Sequence, residues 1–160
     1  MKAKDTIRQD VREIDWARLA AYIDGEGCIR IDLQNPSKGN NFTSRHMLEL
    51  RVYGCDLELI LWCKNTFGGG NIKPVRKKNP KPHWKQEHVW YIGGLNAETV
   101  LRNCLPFFIV KRKQAMVALA LRELGGKHGQ KVSPELYAKR EVLRQEMKVL
   151  NQKGVAGQPV

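Results

Sequence analysis

The chain has 160 residues, 42% of them hydrophobic, and 28 Lys and Arg against 16 Asp and Glu give a formal net charge of +12. That content is enough for one packed core and too apolar for a disordered chain, while the longest apolar runs, Cys104–Val110 and Ala115–Leu121, are too short to span a bilayer. The excess positive charge points to a polyanionic partner, with a membrane surface or plain solubility as the rivals.

Residues 1–13 carry charges of both signs and lack the apolar core of a secretion signal, so they read as an arm of a chain that is not secreted. Asp15 reads as the N-cap of a helix over Trp16–Ile23, which is apolar nearly all round and must be covered on more than one side. Ala20, Ala21 and Gly25 are small enough for another backbone to come close, and Asp24-Gly25-Glu26-Gly27 ends the helix. A half-buried strand follows, with Cys28, Arg30, Asp32 and Gln34 on one face and Ile29, Ile31 and Leu33 on the other. Asn35–Ser44 is a loop. The second strand, Arg45–Tyr53, turns Leu48, Leu50 and Val52 inward and Arg45, Met47, Glu49 and Arg51 outward. Asp56–Phe67 has helical spacing in Leu57, Ile60, Leu61 and Lys64, and Gly68-Gly69-Gly70 stops it.

A second hairpin comes next: Asn71–Lys77 as a basic strand whose Pro74 marks a bulge or an edge, a Pro- and Lys-rich loop to Lys85, and a return strand Gln86–Ile92 with Gln86, His88 and Trp90 outward. Asn96 caps a helix reaching Cys104, Pro106 breaks it, Lys111–Leu124 is a helix ended by Gly125-Gly126, and Pro134–Leu150 is a last helix before a frayed tail. Cys28, Cys55, Cys63 and Cys104 lack zinc-site spacing and read as reduced thiols, with Cys63 and Cys104 in the core. The order of elements predicts an α+β domain with helices on one face of an antiparallel sheet. Its open face would present Arg30, Asp32, Gln34, Arg45, Glu49, Arg51, Lys73, Lys77, Gln86, His88 and Trp90. Between Asn71 and Lys85 there are six basic residues and no acid. Such a run is often only a solvated face, but a two-stranded ribbon also fits the major groove of DNA.

Asp24 and Glu26 lie at the negative end of a helix dipole, which disfavours carboxylates by a few tenths of a kcal/mol. One reading is a divalent-metal site of hard oxygen ligands; the other is a glycine turn with incidental acids. The longer string Leu19-Ala20-Ala21-Tyr22-Ile23-Asp24-Gly25-Glu26-Gly27 resembles the LAGLIDADG signature of homing endonucleases. The later segment Leu105-Pro106-Phe107-Phe108-Ile109-Val110-Lys111-Arg112-Lys113-Gln114-Ala115 resembles that family too, and the likeness runs from about Ile14 to Leu124.

The resemblance implies an αββαββα core over residues 14–124, with the sheet forming a DNA-binding saddle, followed by helical residues 125–153 and a tail over 154–160. With one copy of the motif, it implies a homodimer joined through the motif helix, by Trp16, Leu19, Ala20, Ala21, Ile23 and Asp24. It implies Glu26 as the metal-binding carboxylate with help from the Gly25 carbonyl, Asp24 in packing and capping, Lys111 near the scissile phosphate, Lys113 as an alternative to it, and Gln114 in support. The implied metal is Mg²⁺, with Mn²⁺ or Ca²⁺ able to replace it for binding. The implied activity is a double-strand break with 3′ overhangs at a long, near-palindromic site in double-stranded DNA, inside the cell. Arg30, Arg51, Lys73, Gln34 and Gln86 are expected to read bases, and Asn40, Asn41, Lys81, Trp84 and Lys85 to touch backbone or flanking bases. Where the family often has a polar side chain, at the end of the second strand, Gly54 stands here and leaves room for reduced activity. An intron maturase, with intron RNA as partner, or a cleavage-inactive DNA-binding regulator are the alternatives on the same scaffold.

Overall fold

The computed structural model describes residues 5–36, 44–126 and 131–152. The elements follow the expected order: α1 (Glu13–Glu26), β1 (Gly27–Gln34), β2 (Arg45–Gly54), α2 (Leu57–Phe67), β3 (Asn71–Pro74), β4 (His88–Gly93), α3 (Gly94–Cys104), a 3₁₀ turn (Leu105–Phe107), α4 (Arg112–Glu123) and α5 (Pro134–Leu150). The four strands form one antiparallel sheet in the order β1-β2-β4-β3. The alternation in β1 and β2 places Ile29, Ile31, Leu48, Leu50 and Val52 in the core, where they meet Leu19 and Ile23 of α1, Ile60 and Phe67 of α2 and Leu101 of α3. Asn40 and Asn41 lie outside the described residues. No helix among the described residues is long and apolar enough to cross a membrane.

Several local expectations give way to tertiary contacts. Asp15 is not the N-cap: the helix starts at Glu13, three residues earlier than expected, with Arg12 at the N-cap, and the buried Asp15 carboxylate accepts from Arg12 Nε at 2.8 Å. That guanidinium holds the Asp15 carboxyl below its usual range. Asn96 does not cap α3 either; its side chain accepts from Ile7 N and donates to Asp5 O, tying the amino-terminal arm to the helix. Ile7 enters the core as a result. On α2 the buried face is Ile60, Cys63 and Phe67, while Leu57 and Leu61 are exposed. Burial pushes the Cys63 thiol up to about 12, so it stays protonated and behaves as a small apolar group.

Two glycine positions are sterically required. A Cβ on Gly27 would lie 2.6 Å from Ile23 Cα and 2.7 Å from Ile23 O, because β1 leaves the end of α1 without a spacer. Gly27→Ala therefore forces backbone atoms apart, and urea unfolding should show a loss of about 1–3 kcal/mol. Gly68, Gly69 and Gly70 all have positive φ, and a Cβ on Gly70 would overlap Ile92 and Tyr91. Their tight course aims the Gly69 carbonyl at the indole of Trp90, whose Nε1 donates to it at 3.2 Å.

The last helix is held at β2. His46, buried at the start of that strand, donates from Nε2 to Glu141 Oε2 at 2.7 Å, and Arg144 and Gln145 also donate to Glu141. Met147 of α5 is buried in the core. These donors, His46 foremost, hold the Glu141 carboxyl at about 2 against an ordinary 4.5. Its contribution is thus present above the ordinary carboxylate range and is lost as pH falls from about 4.5 towards 2. With Glu141 about one-third exposed, solvent screening limits the effect to about 1 kcal/mol. Glu141→Gln should lower the melting temperature at pH 7 by about 2–4 °C, and the difference from wild type should shrink below pH 4 in thermal melts.

Candidate nucleic-acid interface

The helices cover one face of the sheet and leave the other open. Arg30 and Glu49 lie directly opposite one another across β1 and β2, and Arg51 is the next outward residue on β2. Arg30 Nε donates to both Asp32 oxygens at 2.8 Å, and its Nε is 3.4 Å from Glu49 Oε2. Arg51 Nη2 is 2.9 Å from the same Glu49 oxygen, and its Nη1 donates to Tyr53 Oη at 3.5 Å. The Asp32 hydrogen bond holds the Arg30 guanidinium above its usual pKa. Gln34 and Arg45 are paired in register at the far end of this hairpin.

The second hairpin differs from its sequence reading in the parity of β4. Trp90 pairs with Val52 and Ile92 with Leu50, both inward residues of β2. Trp90 is therefore core and fully buried, not part of the open face, and His88, opposite Gly54, turns to the same inner side. The other parity holds Tyr91 and Val89, with Asn71 and Lys73 beside them on β3; Val89, set between Tyr53 and Lys73, is itself buried. Period-two reasoning fails here because Val89-Trp90-Tyr91-Ile92 is apolar or aromatic at both parities. Tyr91, Asn71 and Tyr53 thus join the face without having been singled out. For Tyr53 the signal was present, two residues beyond the outward Arg51.

Lys73 Nζ sits 4.5 Å from the Tyr91 ring centre, and Lys77 and Lys81 lie 5.1 and 5.6 Å from that of the exposed Trp84. Lys85 is exposed. Gln86 is turned to the backbone of its own hairpin, its Nε2 donating to Val75 O and Glu87 O. The positive charge is consequently uneven: the centre of the face is matched by Asp32 and Glu49, while the run from Lys73 to Lys85 contains no acid and, among the described residues, forms one ion pair, Lys77 to Glu87 at 3.6 Å.

At the end of α1 the two acids separate into different roles. Asp24 accepts from three successive amides, Ile109 N at 2.8 Å, Val110 N at 3.2 Å and Lys111 N at 2.8 Å. Lys111 Nζ returns to donate to the Asp24 carbonyl at 2.7 Å, satisfying an orphan acceptor at the helix end. Asp24 therefore anchors the entry to α4. Glu26, the last residue of α1, is exposed, and no hydrogen bond or ion pair to it is found among the described residues. A Cβ on Gly25 would meet nothing within 4 Å, so the adjoining backbone is open. Lys113 is exposed in the first turn of α4, and Gln114 Nε2 donates to Leu150 O at the end of α5, at 3.3 Å.

Hard oxygens suit a divalent cation, and the Glu26 carboxylate with the open Gly25 backbone meets that chemistry in part. No group of three or more His, Cys, Asp or Glu able to hold a metal is found among the described residues. One chain thus offers a partial donor set, which fits a cation whose remaining ligands come from phosphate, water or a second chain.

Of the residues assigned to pairing between chains, Trp16, Leu19, Ala20 and Ile23 are buried in the chain's own core. The all-round apolarity of α1 does not tell its two sides apart, and packing on β2 and α3 chose this one. The exposed side carries Ile14, Arg18, Ala21, Tyr22 and Gly25.

No family model matches this chain, and no curated protein matches it. Among solved structures it is similar to the homing endonuclease I-CvuI in complex with the I-CreI target in 2 mM Mg, DNA not cleaved, with a TM-score of 0.71 and 20% identity over 91% of this chain and 87% of that one. It is similar to the archaeal intron-encoded homing endonuclease I-Vdi141I complexed with DNA, with a TM-score of 0.69 and 16% identity over 92% and 90%. Similarity to the I-SmaMI LAGLIDADG homing endonuclease bound to cleaved DNA has a TM-score of 0.62 and 14% identity, and covers 86% of this chain but 45% of that one.

Proposed function

We propose that this chain, which has the LAGLIDADG homing-endonuclease fold, is a site-specific endonuclease of double-stranded DNA, active as a homodimer with Mg²⁺. The observation that carries the reading is that Lys111 is held against the end of α1 at which Glu26 stands exposed. Asp24 brings Lys111 there from 87 residues away, and β1, with its outward Arg30, begins immediately after Glu26. A carboxylate and an ammonium group thus lie at the end of the helix from which the strand carrying Arg30 departs.

Glu26 and the Gly25 carbonyl would hold the cation, which supplies positive charge against the phosphate and lowers the pKa of a bound water. Lys111 stands ready to stabilise negative charge developing on the phosphate. It keeps its ammonium near the site by donating to the Asp24 carbonyl until the phosphate competes for it. Arg30, Arg51 and Lys73 face outward to donate to base edges, with guanine the natural partner of arginine. Lys77, Lys81, Trp84 and Lys85 supply backbone or flanking contacts.

The homodimer is supported by the single motif and by the match to about half of I-SmaMI. The exposed side of α1, with Ala21 and Gly25 small and Ile14 and Tyr22 apolar, is the surface offered to a second copy. Two-fold symmetry then implies a near-palindromic site, and the resemblance implies 3′ overhangs. The decisive experiment incubates purified protein with a randomised palindromic DNA library in Mg²⁺ and sequences the ends produced. Paired cuts around a shared sequence support the proposal. Sequence-specific binding without cutting would assign the cleavage-inactive regulator, and intron-RNA binding without any DNA cutting the maturase.

A further inference from the structure

The open face holds two carboxylates at its centre, where a polyanion will approach. A lone glutamate there would repel phosphates and the acceptor edges of guanine and thymine alike. Glu49 is not alone: a single oxygen, Oε2, lies 3.4 Å from Arg30 Nε and 2.9 Å from Arg51 Nη2. Its side chain is 20% exposed, as recessed as that of Arg51 at 21%, and both lie deeper than Arg30 at 36%. The three residues share one side of the sheet by register.

We propose that Glu49 is a specificity-determining positioning residue, which couples Arg30 and Arg51 into one reader of two guanines in the major groove. The inference rests on the DNA endonuclease reading above and deepens it. Each guanidinium carries five donors in a fixed plane, and the carboxylates occupy only part of them. The remaining N–H groups are available to guanine O6 and N7, which a planar fork engages two at a time. Asp32 fixes the other side of Arg30, and Tyr53 lies at 3.5 Å from Arg51 Nη1, so both forks have limited room to turn. One oxygen thus hydrogen-bonds Arg51 and pairs at longer range with Arg30, whose Nε–H goes to Asp32, so a change at either arginine lets the carboxylate shift towards the other. The two base preferences are then properties of the triad, not of separate side chains.

The test uses the full-length protein and selection of bound sequences from a randomised palindromic duplex library, without cleavage. R30A, R51A and the double variant are compared with and without E49Q. Wild type should prefer guanine at two positions of each half-site, R30A and R51A should each relax both positions, and E49Q should relax both by about tenfold. The salt dependence of E49Q binding should match wild type, since Glu49 neutralises no phosphate. A melting temperature for E49Q close to wild type separates positioning from folding, and the cross-effects of R30A and R51A test the coupling without that variant. Independent effects of the two arginines overturn the inference. So does an E49Q that weakens all sequences equally or loses only a cytosine preference, as a direct reader of cytosine N4 would. If wild type selects no sequence at all, the endonuclease reading fails with it; if wild type selects and cuts a defined site while the arginines act independently, only the coupling fails.

Discussion

Glu26→Gln protein is expected to bind its DNA site with nearly wild-type affinity and to lose Mg²⁺-dependent cleavage by about 10²–10³-fold or more. The substitution is close to isosteric and removes only the charge that would hold the cation. Glu26 is exposed and no bond from it to another part of the chain is found among the described residues, so the fold has little to lose. The helix dipole even gives the opposite sign for stability: a carboxylate at the last residue of α1 is unfavourable, and neutralising it should raise stability by a few tenths of a kcal/mol. A plasmid-linearisation assay read beside a thermal melt checks both halves. Wild-type cutting by the variant would remove Glu26 from the cleavage site.

Asp24→Ala should do the reverse and strike the fold first. It orphans the three amides of Ile109, Val110 and Lys111 that the carboxylate now serves. Hydrogen bonds to a charged acceptor are worth about 1.5–3 kcal/mol each at most, and water can replace some at this partly exposed position, so a net loss of about 2–4 kcal/mol is expected. That corresponds to a fall of roughly 4–16 °C in melting temperature for a chain of this size. Asp24→Asn keeps one accepting oxygen and should lose about half as much. Cleavage should fall in both variants, because the turn that presents Lys111 is no longer held against α1. A variant pair in which Glu26→Gln is stable and inactive while Asp24→Ala is unstable would separate the two acids cleanly. They are two positions apart in the chain, and their roles differ because only one faces the 109–111 turn.

The loop between β3 and β4 belongs to neither effect. If its lysines around Trp84 act through charge, as proposed, replacing any one of them should change affinity more than cutting.

How far the sequence can be read depends on whether a local pattern has one solution. Over residues 29–33 and 48–52, polar and apolar residues alternate strictly, so a slip of one residue would bury Arg30 or Arg51. The register came with the fold, while those strands and their outward arginines followed from the residues alone. So did the positions of the helices, and the closing glycines at Gly68–Gly70, where the positive φ leaves no other residue at ease. The two acids at the end of α1 drew attention in the sequence through their cost at a helix end and the resemblance of the surrounding string to a known signature.

The tertiary structure decided what local patterns leave degenerate. β4 is apolar on both parities, and its inner face was chosen by pairing Trp90 with Val52 and by the Gly69 carbonyl that receives its indole. α1 is apolar on all sides, and contacts with the sheet and α3 determined that Trp16, Leu19, Ala20 and Ile23 face inward while Ala21, Tyr22 and Gly25 face out. Local pattern alone does not separate Asp24 from Glu26, which only the resemblance distinguished, and a turn some 85 residues away claims the first and leaves the second open. Composition and period fix an element when one face differs from the other in polarity. When both faces are alike, the free energy that breaks the tie comes from partners distant in the chain, and only the folded structure names them.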